Sequence, residues 1–208
     1  MYSKNSSDAE LIQGCIKNDR MAQKYLYVKF YEDMLRTCIC YTKDRQEAKE
    51  VLNNAFLKVF EAIEIYKGSG SFEGWIRKIV INTALNYIKS KMRYEAIMKF
   101  DLNDDITIEP EVFNKMSGDD ILKLVQQISL PSRHVFTLFI IEGYSHKEIA
   151  ELLNISEGVS KWHLLNAKKK LKEILKKESD TEFRRVVHYE KIEPYPKTML
   201  AMAEFKKN

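Results

Sequence analysis

The chain has 208 residues and a formal net charge of +4, with 45% apolar residues but only 7 Gly and 4 Pro. That apolar share excludes wholesale disorder, and the scarcity of turn formers favours helices over a turn-rich β architecture. The longest apolar run, Val135 to Ile141, is too short to span a bilayer, and the polar N-terminus lacks the apolar core of a signal peptide, so a cytoplasmic protein is expected.

The first half reads as helices. Ser7 with Glu10 three residues later is a capping box ahead of Leu11, Ile12, Cys15 and Ile16. Val51, Leu52, Ala55, Phe56, Val59, Phe60 and Ile63 repeat with helical spacing, and Gly68-Ser69-Gly70-Ser71 must stop that helix. A second stripe follows: Trp75, Ile76, Ile79, Val80, Thr83, Tyr87 and Ile88. Each amphipathic helix needs the other to bury its apolar side. Gly74 to Tyr94 carries five basic residues and no acid, the electrostatic footprint of a phosphate-binding surface. Three cysteines, Cys15, Cys38 and Cys40, are odd in number and clustered early, which fits neither a disulfide framework nor a zinc site. Cys38 and Cys40 are expected to be buried.

Asp101 to Gly118 holds five acids and no clear periodicity, and reads as a flexible linker. Patterning returns with Ile121, Leu122, Val125 and Ile128. Leu130-Pro131 then starts a helix whose apolar side is Val135, Phe136 and Phe139, with Gly143 as its C-cap. Ser145 and Glu148 form another capping box. Ala150 is small where a second helix crosses, Asn154 tolerates the left-handed conformation of a tight turn, and Ser156 can cap the next helix. That helix places Val159, Leu164, Ala167 and Leu171 along its length, and Lys161 to Lys177 holds seven basic residues against one acid. A helix, a short turn and a basic second helix is the helix-turn-helix layout, whose second helix enters the major groove N-terminal end first. The expected fold is therefore all-α: two small helical domains joined by a flexible linker, the second containing the helix-turn-helix. The expected boundaries are 1–98, a linker at 99–118, 119–178, and a tail at 179–208.

Leu130-Pro131-Ser132-Arg133-His134-Val135-Phe136, then Glu142-Gly143-Tyr144-Ser145, Glu148-Ile149-Ala150 and Glu157-Gly158-Val159-Ser160-Lys161, resemble region four of the extracytoplasmic-function sigma factors of bacterial RNA polymerase. Ala48 to Phe60 resembles the family's clamp-binding helix in region two. Phe72-Glu73-Gly74-Trp75-Ile76 and Ile79 to Ile88 resemble its promoter-melting helix. The resemblance covers roughly Asp8 to Lys176, in the family's order. Asn53 stands where the family usually has Gln, Glu50 where it often has Asp, and Ser160 and Trp162 replace an apolar and a small residue.

The resemblance implies a transcription initiation factor whose partners are core RNA polymerase, promoter DNA and an anti-sigma factor. Glu47, Glu50, Asn53, Asn54 and Leu57 would then meet the polymerase. Phe72, Trp75, Arg77, Lys78, Asn82, Asn86 and Lys89 would form the melting surface. Within it, Arg77, Lys78 and Lys89 suit phosphate contacts. Asn82 and Asn86, one turn apart, suit the edge of a flipped base because an amide offers donors and an acceptor. Trp75 leads an apolar stripe and is expected mainly in the core. Arg133, Ser156, Lys161, Trp162, His163, Asn166 and Lys169 would form the duplex-binding surface, with His163 and Asn166 addressing base edges. The four histidines lack metal-ligand spacing and no glycine loop cradles phosphate, so no catalytic set, metal, cofactor or small-molecule substrate is expected. The alternative is a stand-alone helix-turn-helix regulator with an N-terminal sensor or dimerisation domain.

Overall fold

A computed structural model describes residues 2–3, 5–68, 70–91 and 118–181. The expected linker up to residue 117 and the tail beyond Thr181 lie outside them. Every regular element among the described residues is helical, so the fold is all-α as expected. The chain divides into two units, Met1–Met92 and Arg93–Asn208.

The first unit contains α1 (Asp8–Ile16), α2 (Arg20–Ile39), α3 (Arg45–Ala62) and α4 (Phe72–Lys91). The capping box at α1 forms as the sequence predicts: Glu10 N–H donates to Ser7 Oγ at 3.3 Å and Ser7 N–H to the Glu10 carboxylate at 2.8 Å. Asp19 and Asp44 cap α2 and α3 through their carboxylates. At Gly14 the two first helices meet so closely that a Cβ would collide with the Ala22 methyl and the Tyr2 ring. Most of the α3 stripe is inward as expected, with Val51, Leu52, Ala55, Phe56, Val59 and Ile63 each 2% exposed or less, while Phe60 is only half-buried. The α4 stripe is shifted from the expected one. Ile76, Val80 and Ile88 are buried, but Phe72, Ala84 and Leu85 join them, while Trp75, Ile79 and Tyr87 sit at its margin. Cys15, Cys38 and Cys40 are all buried, and none of them is in a disulfide. Burial pushes the Cys38 thiol up to about 12, which leaves it a small apolar filler.

The second unit contains α5 (Gly118–Gln126), α6 (Leu130–Phe136), α7 (His146–Leu153) and α8 (Glu157–Thr181), and α6 runs on into a π turn over Thr137–Ile141. Leu124, Val125, Ile128, Val135, Leu138, Ile149, Leu164, Ala167 and Leu171 form its core. Across the start of the π turn Leu138 is buried, while the expected core residue Phe139 is only half-buried, stacked on His146 at 4.5 Å. Gly143 ends the segment at φ +71°, the left-handed backbone expected of a C-cap. No described helix is long and apolar enough to cross a membrane.

Candidate nucleic-acid interface

The helix-turn-helix is built by three short-range devices. Ser145 and Glu148 close a capping box on α7, with Ser145 N–H donating to the carboxylate at 2.8 Å. Asn154 takes φ 55°, ψ 51°, and the following Ile155 N–H returns to the Ala150 carbonyl at 3.0 Å. Ser156 Oγ then accepts from Val159 N–H at 3.2 Å, capping α8. Ala150 itself is half-buried; Ile149 and Leu153 are the residues of α7 that enter the core.

The inward side of α8 is partly polar. Ser160 is fully buried and lies 2.9 Å from His146 Nδ1, which ties α7 to α8. His163 is 5% exposed, with Nδ1 3.1 Å from Ser132 Oγ on α6. Two serine–histidine pairs thus clamp α8 to α6 and to α7. They also account for Ser160, one of the departures from the family pattern: it fills the apolar position by bonding to a histidine.

This geometry corrects two assignments. His163 does not address base edges, because it falls in phase with Ser160, Leu164 and Ala167 on the core side. Arg133 does not reach DNA either. It is 7% exposed, and its guanidinium donates to the carbonyls of Gln126 at 2.8 Å and Ile128 at 3.2 Å, closing the end of α5. The outward face of α8 is instead Trp162, Asn166 and Lys169, spaced i, i+4, i+7 and all half-exposed. Lys161 is exposed on the flank of that face. Lys170 turns to the other side, with its ammonium 3.8 Å from Glu173.

In the first unit, Lys78, Asn82, Asn86 and Lys89 are all exposed and spaced so that they form one line along α4. Acids are absent from Gly74 to Lys91, so the line is a basic track carrying two amides. Three other residues expected there also have places in the fold. Phe72 is 4% exposed, enclosed by Phe30 at 5.8 Å, Tyr66 at 5.0 Å and Trp75 at 5.7 Å. It is a core residue at the start of α4. Trp75 covers it as a half-exposed lid. Arg77 donates to Thr37 Oγ1 at 3.0 Å and so ties α4 to α2. The sequence singled out neither Tyr66 nor its role: its hydroxyl donates to the Gly70 carbonyl at 3.0 Å, holding the loop that leads into α4.

On α3, Glu50, Asn53, Asn54 and Leu57 are exposed, and Leu57 is 60% exposed, unusual for a leucine in so well-packed a helix. Glu47 is half-buried and accepts from Lys43 N–H at 3.1 Å, so its carboxylate serves the start of its own helix. A shallow groove of about 450 Å³ runs between α3 and α4, with Asn54 and Leu57 on one wall and Asn86 and Tyr87 on the other. Among the described residues no cluster of His, Cys, Asp and Glu is suited to a metal ion.

Comparison with known proteins places these elements. Residues 26–94 match the family profile "Sigma-70 region 2", and residues 118–171 match "Sigma-70, region 4". The RNA polymerase sigma-H factor of Pseudomonas aeruginosa is 25% identical over 188 residues, covering 81% of this chain and 93% of its own length. The ECF RNA polymerase sigma-E factor of Escherichia coli K12 is 24% identical over 180 residues, covering 80% of this chain and 93% of its own. A solved structure of CnrH in complex with the cytosolic domain of CnrY has 16% identity and a TM-score of 0.44, covering 83% of this chain and 99% of that one.

Proposed function

The chain belongs to the sigma-70 family of RNA polymerase sigma factors, and from that membership we propose that its exposed faces divide the work of an extracytoplasmic-function sigma factor. Such a protein binds core RNA polymerase, recognises promoter DNA and helps open it. The single observation that carries this reading is that one chain holds region 2 and region 4 in the family's order. A stand-alone regulator has no use for the first of these.

Residues 1–98 take the region-2 part and 119–178 the region-4 part. The exposed face of α3, with Glu50, Asn53, Asn54 and Leu57, docks on the polymerase. The line Lys78–Asn82–Asn86–Lys89 on α4 receives single-stranded promoter: lysines position the phosphates and the amides meet a base edge. Trp162, Asn166 and Lys169 on α8 face the major groove, with Lys161 beside a backbone phosphate. RNA synthesis itself stays with the polymerase, in the cytoplasm, and an anti-sigma factor would act by covering the α3, α4 and α8 faces.

The test is run-off transcription from a library of native promoters by core polymerase, with and without this chain. Transcripts that appear only with the chain support the reading. Duplex binding without any polymerase-dependent transcript would favour the stand-alone regulator.

A further inference from the structure

The exposed face of α3 is shaped by its neighbour α2. Tyr27 reaches across from α2 and donates its hydroxyl to Asn53 Oδ1 at 2.9 Å. Its ring is not free to leave. It packs edge-on against Phe56 at 4.7 Å and tilted against Tyr31 at 5.4 Å, and Phe56 is 2% exposed. A core residue thus fixes a ring, and the ring fixes an amide on the surface.

The consequence is a matter of donors and acceptors. An asparagine side chain offers one oxygen that accepts and an NH2 that donates twice. A free surface amide turns to present either. Here the phenol takes the oxygen, which directs the NH2 away from Tyr27 and makes Asn53 a donor of set orientation. Burial, with Tyr31 and then Cys38 adding to it, raises the Tyr27 phenol above its usual value. The hydroxyl therefore keeps its proton, and its role as donor, throughout the neutral range. On the same face Glu50 lies three residues before Asn53 and Leu57 four residues after it, both exposed. The face therefore reads acceptor, fixed donor, apolar knob.

We infer that Tyr27 is a positioning residue for polymerase docking: by holding Asn53 Oδ1 it aims the amide NH2 at a carbonyl or carboxylate oxygen on the core enzyme, beside an apolar contact at Leu57. This rests on the reading that the α3 face docks on polymerase. Preorganising one surface amide limits the ordering cost of association. It also selects against a partner that offers a donor at that point, since two donors would face each other.

The experiment is a double-mutant cycle with the full chain and purified core polymerase, read as equilibrium affinity by fluorescence anisotropy. The variants are Tyr27→Phe, Asn53→Ala and both together. Tyr27→Phe keeps the ring and removes only the hydroxyl. It should weaken binding by about 3- to 10-fold, the range of one hydrogen bond's net effect, and should add nothing in the Asn53→Ala background. Asn53→Asp, which still accepts from Tyr27 but presents only an acceptor outward, should weaken binding at least as much as Asn53→Ala. Two results overturn the inference alone: wild-type affinity for Tyr27→Phe where Asn53→Ala is impaired, or an equal loss from Tyr27→Phe in both backgrounds, the mark of a merely structural hydroxyl. If Asn53→Ala binds as the wild type does, the docking role of this part of α3 falls, and the inference with it.

Discussion

Ser132 Oγ and His163 Nδ1 stand 3.1 Å apart inside the second unit, joining the first turn of α6 to the second turn of α8. Burial lowers the His163 pKa to about 4, so the ring is neutral in the folded chain. The unfolded chain takes up the proton near the usual value of about 6.5. Stability from the neutral ring is therefore fully present above about pH 6.5, is lost as pH falls through that range, and levels off below about 4. The loss is at most about 3 kcal/mol. His146, lowered first by burial and then by Lys161, shifts stability in the same direction. The second unit should thus unfold more readily in urea at pH 5 than at pH 8, followed by Trp162 fluorescence in a Trp75→Phe background. His163→Ala should cost about 2–4 kcal/mol, lose much of that pH dependence, and leave the promoter preference of the folded protein unchanged. A changed preference would return His163 to the groove.

The left-handed backbone at Asn154, φ 55°, is the hinge pin of the helix-turn-helix. A Cβ-bearing residue without a compensating polar side chain pays about 1 kcal/mol or more there. Asn154→Gly should match or slightly exceed wild-type stability, while Asn154→Ala should lower it by about that amount. Equal melting temperatures for the two variants would contradict the assigned backbone.

On α8 the roles of neighbours should separate. Removing a phosphate contact weakens binding on all sequences alike and reduces the salt slope by about 1, which is the outcome expected of Lys161→Ala. Asn166→Ala and Trp162→Ala should instead alter which upstream promoter element is preferred. Holoenzyme binding to a randomised duplex library across a salt series distinguishes the two classes. Wild-type behaviour in all three variants would mean that α8 does not read the promoter.

The α4 line predicts a defect confined to strand opening. Extruding a base costs a few kcal/mol, which hydrogen bonds in its receiving site must offset. Asn82→Ala with Asn86→Ala should leave closed complexes nearly intact and reduce permanganate reactivity of promoter thymines. Both amides are exposed, so the fold should tolerate the change. Unaltered reactivity would strike these residues from the melting surface.

What was legible in the sequence was mostly local. The capping boxes at Ser7–Glu10 and Ser145–Glu148, and the left-handed turn at Asn154, depend on residues within one helical turn and appear where their spacing puts them. The exposed amides of α4 followed from a clear helical period. Arg133 and His163 were misread because a basic residue in a nucleic-acid-binding motif looks the same whether it meets water or a buried carbonyl. For His163 a signal was present: it lies in phase with Leu164, Ala167 and Leu171, all buried. For Arg133, main-chain oxygens of Gln126 and Ile128 are among its partners, and a backbone carbonyl leaves no mark in the residue pattern. Tyr27, 26 residues from Asn53, could be found only through the fold.

The π turn at Thr137–Ile141 has a bearing on descent. Such a turn is an α-helix that has absorbed one additional residue, kept in place by bonds such as Glu142 N–H to the Thr137 carbonyl at 3.0 Å. The turn closes the helical segment that begins at Leu130, and the chain leaves it at Glu142 and Gly143. Ile140, 46% exposed, is the member of the turn that the core would miss least. A homologue shorter by one residue here could run straight α-helix from the Leu130 equivalent to the Gly143 equivalent and bring the same helix-turn-helix to the same place. Single-residue gaps between relatives should therefore gather in this turn, and an alignment that forces one into Leu130–Phe136 would rotate part of that helix by about 100° out of register with its true counterpart.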